Sequence, residues 1–243
     1  MRARSAAALV AALALAAGLL TGCTPAEPAD GPRAVTSEEA QLLALARFTN
    51  FDRGTRAFST ELAVSGVDTR VQGWVDYVAE LGYATVSGSF GSEALLWSDG
   101  SLGSIPAVPD ADGNPPLPIP DLADAAWQFQ TLDASGSAFS ALLAALSALG
   151  QDRPDNPLLL QQSGAMRLRV DDVAGTPVTV FAAPPDDAPD AGGELDPEAS
   201  PLRLWVAEDG LLLRAEFRLD GRWITVELPD VAAPELELPE AAR

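Results

Sequence analysis

The chain has 243 residues, 47% of them hydrophobic, and a formal net charge of −20 from 35 acidic residues against 15 basic ones. All 15 basic residues are Arg; without Lys or His there is no basic footprint for nucleic acid, no Schiff-base lysine, no P-loop and no His-based triad or His-ligated zinc site. One Cys cannot form an internal disulfide, so carboxylates, hydroxyls and Arg remain for catalysis, and a binding protein without metal or cofactor is expected.

The first segment reads as an export signal. Arg2 and Arg4 form a basic start, and Ala6 to Leu20 is uncharged and apolar. This stretch is shorter than the roughly 20 residues needed to span a bilayer and suits the core of a signal peptide. Leu20-Thr21-Gly22-Cys23 resembles a bacterial lipobox. The resemblance implies diacylglyceryl transfer to the Cys23 sulfur, palmitate-type acylation and cleavage before Cys23. Residues 1–22 are then a signal peptide, and the mature protein sits on the extracytoplasmic face of a membrane by its lipid anchor. Residues 23–35, with Pro25, Pro28 and Pro32, read as an extended tether. Residues 36–243 read as a single domain.

That domain opens with Thr36-Ser37-Glu38-Glu39, the pattern of a capping box, so a helix is expected to about Asn50. From Arg56 the hydrophobic period changes to two. Phe58, Thr60, Leu62 and Val64 alternate with Ala57, Ser59, Glu61 and Ala63. Val71, Gly73, Val75 and Tyr77 alternate with Arg70, Gln72, Trp74 and Asp76. Tyr83 to Phe90, Glu93 to Ser98 and Ser101 to Ile105 extend the antiparallel meander. Pro106 to Pro120 holds six prolines, and a loop of this length reads as a lid, a binding element or a mobile insertion.

Asp121 to Trp127 reads as a short helix and Gly136 to Leu149 as a stronger one, with Phe139, Leu142, Leu143 and Leu146 on one face. No charge occurs from Ala134 to Gly150. The other face, Ser140, Ala141, Ala144, Ser147 and Ala148, is small and uncharged. It either touches a lipid chain, a membrane or a partner, or is covered by the Pro-rich loop or simply exposed. Pro157 to Gln162 suggests a helical turn. Met166, Leu168 and Val170 then alternate with Arg167, Arg169 and Asp171. Val178 to Ala183 pairs back, and an acidic loop spans Pro184 to Pro201. Leu202 to Ala207, Leu211 to Leu219 and Trp223 to Leu228 form a second meander, with Leu211, Leu213, Ala215, Phe217 and Leu219 expected on one face.

The expected fold class is α+β: a curled antiparallel sheet of some nine strands with two or three helices covering its concave face. A sheet this wide must curl. Few helices over it leave either a greasy cavity or a fully packed core. Trp74, Trp97 and Trp205 share the parity of polar neighbours, which places them on an outer face or rim, or in ordinary packing.

The C-terminal run Leu204-Trp205-Val206-Ala207-Glu208-Asp209-Gly210-Leu211, then Trp223-Ile224-Thr225-Val226-Glu227-Leu228 and Pro234-Glu235-Leu236-Glu237-Leu238-Pro239, resembles the end of actinobacterial lipoproteins of the LppX/LprG type. These are related in fold to the carrier LolA. Val173-Ala174-Gly175-Thr176-Pro177-Val178 resembles their preceding hairpin. The resemblance implies a half-open barrel holding acyl chains and a lipid or glycolipid ligand of the cell envelope, with an envelope transporter as a further partner and no nucleic acid. The expected function is lipid or lipoglycan binding or transport. The residues expected to line the cavity are Phe58, Leu62, Val75, Tyr77, Leu96, Leu142, Leu146, Met166, Leu168, Leu204, Leu213 and Phe217, each of which also reads as plain core. The alternative is an anchored protein–protein interaction module without a cavity. A carboxylate-pair hydrolase is disfavoured because the acids fall mostly in turns and the acidic loop, so the chain is not expected to be an enzyme.

Overall fold

The computed structural model describes residues 31–64, 66–122, 126–185 and 196–238. The first half comprises β1 (Arg33–Ala34), α1 (Ser37–Asp52), β2 (Thr55–Val64), β3 (Val67–Asp76), β4 (Leu81–Gly88), β5 (Gly91–Ser98), β6 (Ser101–Pro106) and β7 (Gln128–Thr131). The second comprises α2 (Ala138–Ser147), α3 (Pro157–Gln162), β8 (Met166–Val173), β9 (Thr176–Ala182), β10 (Leu202–Ala207), β11 (Leu212–Leu219) and β12 (Arg222–Glu227). All twelve strands form one antiparallel sheet, ordered β1-β8-β9-β10-β11-β12-β2-β3-β4-β5-β6-β7. Two meanders are therefore joined by the β12–β2 pair, at Val226–Thr60 and Glu227–Ser59. The sheet does not close: β1 and β7 are its edges.

Local chemistry accounts for the boundaries. The Thr36 hydroxyl accepts the Glu39 N–H at 3.2 Å, and the Glu39 carboxylate accepts the Thr36 N–H at 2.9 Å, so α1 starts with the expected capping box. Ser137 caps α2, and Asn156 caps α3 with Pro157 in its first turn. Ala174 and Gly175 both adopt positive φ (52° and 86°) in the β8–β9 hairpin, a demand Gly meets without steric cost. Gly82 serves another purpose. A Cβ there would lie 2.0 Å from Cε2 of Trp97, so only a bare backbone lets that ring lie flat on β4.

The inward face explains the curl. One apolar cluster gathers side chains from β2 to β6 and β9 to β12 with α1 and α2, including Phe58, Val71, Trp97, Leu143, Val206 and Ile224. A flat sheet could not bring strands this far apart in order around the same helices. Two further clusters lie on the outward face. One contains Trp74, Leu81, Tyr83, Ala94, Leu96 and Ile105 of the first meander, covered by Ile119 and by Leu236 of the C-terminal segment. The other contains Met166, Leu168, Val180, Trp205, Leu211 and Leu213 of the second.

Several expectations change here. The strands number twelve among the described residues, because β1 lies in the predicted tether and β7 follows the Pro-rich segment. The Pro-rich segment lies along the outward face: Tyr83 donates to the Pro116 carbonyl at 2.7 Å and Gln72 to the Asp112 carbonyl at 2.7 Å. It is thus on the far side of the sheet from α2 and does not cover that helix. The helix expected at Asp121 to Trp127 falls partly on residues outside those described, and the described residues beside it are not helical. Strand β11 does not keep one parity. Trp205 pairs with Arg214 but Val206 with Leu212, so Leu213 is an extra residue. This bulge sends Leu211 and Leu213 outward while Ala215 and Phe217 face inward. A second bulge at Leu168 does the same in β8. The three tryptophans also part company: Trp97 faces the helices, whereas Trp74 and Trp205 face outward.

Candidate functional site

Two cavities flank α2 under the inward face. The helix is held by polar anchors. Arg56, buried, donates to Asn50 Oδ1 at 2.7 Å and to the Leu228 carbonyl at 2.8 Å, and Asn50 Nδ2 donates to the Leu149 carbonyl at 3.1 Å just past α2. Burial pulls the Arg56 guanidinium below its ordinary range, against the weaker opposing fields of Tyr77, Asp230 and Asp209. Trp97 Nε1 donates to Ser147 Oγ at 3.1 Å from the sheet side. These contacts fix the tilt of α2 and hence the space on either side of it.

The smaller cavity, about 380 Å³, lies between the three helices and the ends of β9 to β11. Its walls are Leu43, Ala145, Leu149, Leu160, Leu204 and Phe217. At its rim Arg47 grips Asp155 in two parallel bonds of 3.0 and 2.5 Å. This fork ties α1 to the loop before α3 and leaves no free charge facing the apolar wall. The volume lies at the low end of the roughly 300–1,000 Å³ usual for small-molecule sites.

The larger cavity, about 860 Å³, lies on the other side of α2. Phe51, Val75, Tyr77, Leu132, Ala144 and Ser147 line it, and Asp76, Glu80, Asp99 and Asp152 stand around it. Asp76 is occupied structurally. Its carboxylate accepts the N–H groups of Val78 and Ala79 at 3.0 and 2.8 Å and the Thr55 hydroxyl at 3.0 Å. Burial pushes the Tyr77 phenol well above its ordinary range, against the opposing field of Arg56. Among the described residues no cluster of three or more acids or Cys could hold a metal, and no helix is long and apolar enough to cross a membrane.

The predicted lining residues separate into groups. Leu204 and Phe217 line the smaller cavity, and Val75 and Tyr77 the larger. Phe58, Leu62, Leu142 and Leu146 belong to the same inward core but line neither. Leu96 sits outward beneath the Pro-rich segment. Met166, Leu168 and Leu213 lie on the outward face of the second meander; the bulges at Leu168 and Leu213 break the simple alternation there. Cys23 lies outside the described residues. Leu43, Ala145, Leu149 and Leu160 escaped the sequence reading because the smaller cavity is walled mostly by helices. The signal present was the uncharged α2 face: Ala144, Ser147 and Ala148 line the larger cavity.

No protein-family profile and no curated protein sequence matches the chain. Solved structures do. Lipoprotein LppX of Mycobacterium tuberculosis is 16% identical, with 81% of this chain and 97% of that one covered at a TM-score of 0.41. LprF of Mycobacterium bovis is 13% identical, with 84% and 99% covered at 0.40. The chain is similar to these two mycobacterial lipoproteins.

Proposed function

We propose that the protein is a membrane-anchored lipoprotein that binds acyl chains of an envelope lipid or glycolipid beneath its curled sheet and carries them without chemical change. The supporting observation is the apolar cavity between α1, α2, α3 and β9 to β11, which no side chain of the described residues fills. The three helices among the described residues, one of them six residues long, are too few to plug a concave face built from nine strands. An acyl chain entering such a site gains about 0.8 kcal/mol for each methylene it removes from water. The lipobox-like run ending at Cys23 is the basis for placing it at the extracytoplasmic membrane surface.

The test is native mass spectrometry of residues 24–243, produced without the anchor, followed by lipid extraction. A mass increment that extracts as lipid supports the carrier reading. A domain that stays empty when presented with phosphatidylcholine vesicles, yet holds a stoichiometric protein partner, replaces it with the docking-module alternative.

A further inference from the structure

The wall of the smaller cavity holds one charged pair. Among the described residues that line either cavity, Arg47 is the sole cation, whereas four acids stand around the larger one. Arg47 lies one turn after Leu43 on α1, so both side chains share the helix face toward the smaller cavity. An acyl chain lying against Leu43 therefore has a guanidinium at one end. Arg47 Nε and Nη2 hold the two Asp155 oxygens at 3.0 and 2.5 Å, and Nη1 donates to the Ala148 carbonyl at 3.4 Å. The pair also reaches water: the Arg47 and Asp155 side chains are 34% and 25% exposed.

The loop does not depend on this fork to stay in place. Asp155 N donates to the Ala44 carbonyl at 3.0 Å and Gln151 N to the Arg47 carbonyl at 3.2 Å, so backbone bonds already pin residues 151–155 to α1. The Asp155 carboxylate is free to turn toward water while its own backbone stays seated. What it leaves is a planar fork of two donors at the end of an apolar wall. Such a fork matches a carboxylate or a phosphate better than any neutral group. Neighbouring charges offer no rival receptor. Arg153 and Asp152 pair with each other at 3.6 Å, both well exposed, and the acids of the larger cavity repel an anion.

We propose that Arg47 is the headgroup receptor of the smaller cavity: it exchanges Asp155 for the carboxylate or phosphate of an anionic lipid whose acyl chain lies against the apolar wall. Asp155 is then an internal competitor that the anion must displace, and no covalent bond changes. This rests on the carrier reading above and narrows the ligand to a lipid with its negative charge beside the chain.

The experiment uses the full chain as a bacterial host exports it, held in phosphatidylcholine nanodiscs. Native mass spectrometry counts adducts of monolauroylglycerol and of lysophosphatidic acid with the same chain, which differ only by the phosphate. The readout is the ratio of the two affinities. Competition from the nanodisc lipid cancels within each ratio, and partition cancels between variants. Asp155→Asn removes the competitor and should raise the preference for the anionic probe about fivefold; Arg47→Gln should lower it about tenfold. Arg153→Gln, a screened charge on the same loop, should leave it within about twofold. Should Arg47→Gln fail to fold, Arg47→Lys, which keeps the charge but loses the fork, should lower the ratio in its place.

Opposite signs are the signature of exchange. A fork that only ties the loop to α1 would move the ratio the same way in both variants, or not at all, and either result overturns the proposal. So does an Arg153→Gln shift as large as that of Arg47→Gln, which would mean a general field. Glycerol phosphate that displaces the anionic probe as well as lysophosphatidic acid does also overturns it, since the site would then take a free anion. A wild-type chain that binds both lipids while the variants keep its ratio refutes the receptor and leaves the carrier reading standing. One that binds neither lipid refutes the carrier reading, and the proposal falls with it.

Discussion

Replacing Ala145 by Phe tests the smaller cavity directly. Ala145 lies on α2, packs against the inward core and lines the 380 Å³ space. The substitution adds six ring carbons pointing into that space. They displace the equivalent of about four to six methylenes of a bound chain, each worth about 0.8 kcal/mol. Lost binding is therefore about 3–5 kcal/mol, which is roughly 10²- to 4 × 10³-fold in affinity. Folding should change little: Phe in place of Ala costs a helix about 0.5 kcal/mol, and ring burial offsets this. Fluorescence displacement of an anthracene-labelled fatty acid measures the affinity, and thermal unfolding checks the fold. Ala144→Phe is the matched control, because Ala144 lines only the larger cavity. Equal, undiminished affinity in Ala145→Phe refutes the assignment of the acyl site. Loss in Ala144→Phe alone moves it to the 860 Å³ space.

Other perturbations test the scaffold. Burial by itself would raise the Glu39 pKa, but hydrogen bonds from the Arg33 guanidinium and the Thr36 N–H outweigh it and hold the carboxyl below its ordinary range. The stability this supplies is present above the unfolded pKa of about 4.3 and is lost as pH falls through the depressed folded value. Glu39→Gln should therefore flatten the urea midpoint between about pH 5 and pH 3, at a cost near 1 kcal/mol at neutral pH. An unchanged slope contradicts the assignment. Burial pushes the Tyr83 phenol up to about 12, so its contribution is complete below the unfolded pKa near 10 and fades as pH rises through the folded value. Tyr83→Phe should lose that alkaline decline and, without the bond to Pro116, show faster proteolysis within residues 106–120. Gly82→Ala should cost about 2–4 kcal/mol, since its methyl displaces the buried Trp97 ring and strains the bond to Ser147. A denaturation midpoint equal to wild type would show that the ring is not held there.

Much of the secondary structure was legible because it is locally encoded. Thr36 and Glu39 write their own helix start, and the alternation through Phe58 to Val64 and Val71 to Tyr77 needs no partner to be read. The bulges were not legible. An extra residue at Leu168 or Leu213 is decided by pairing with a neighbouring strand, and it reverses every side chain beyond it. Strand β7 was missed for a related reason: Gln128–Thr131 is exposed throughout and belongs to the sheet only by pairing with β6. Trp205, sharing the parity of arginines, read either as an outer-face or rim residue or as ordinary packing, a choice that sequence parity could not make. It is buried, with Arg169 and Arg214 guanidinium carbons 5.5 and 5.7 Å from its ring and Asp171 accepting its N–H at 3.0 Å.

What the residues determined alone is the absence of His and Lys chemistry, the antiparallel sheet and the small share of helix set against it. These follow from composition and short-range period, which act within a few residues. Where the empty space lies was decided by tertiary structure. The Asn50–Leu149 and Trp97–Ser147 bonds join residues 99 and 50 positions apart, and together they tie α2 to α1 and to the sheet. A cavity is the difference between two surfaces that meet only after folding, so no stretch of sequence records its walls.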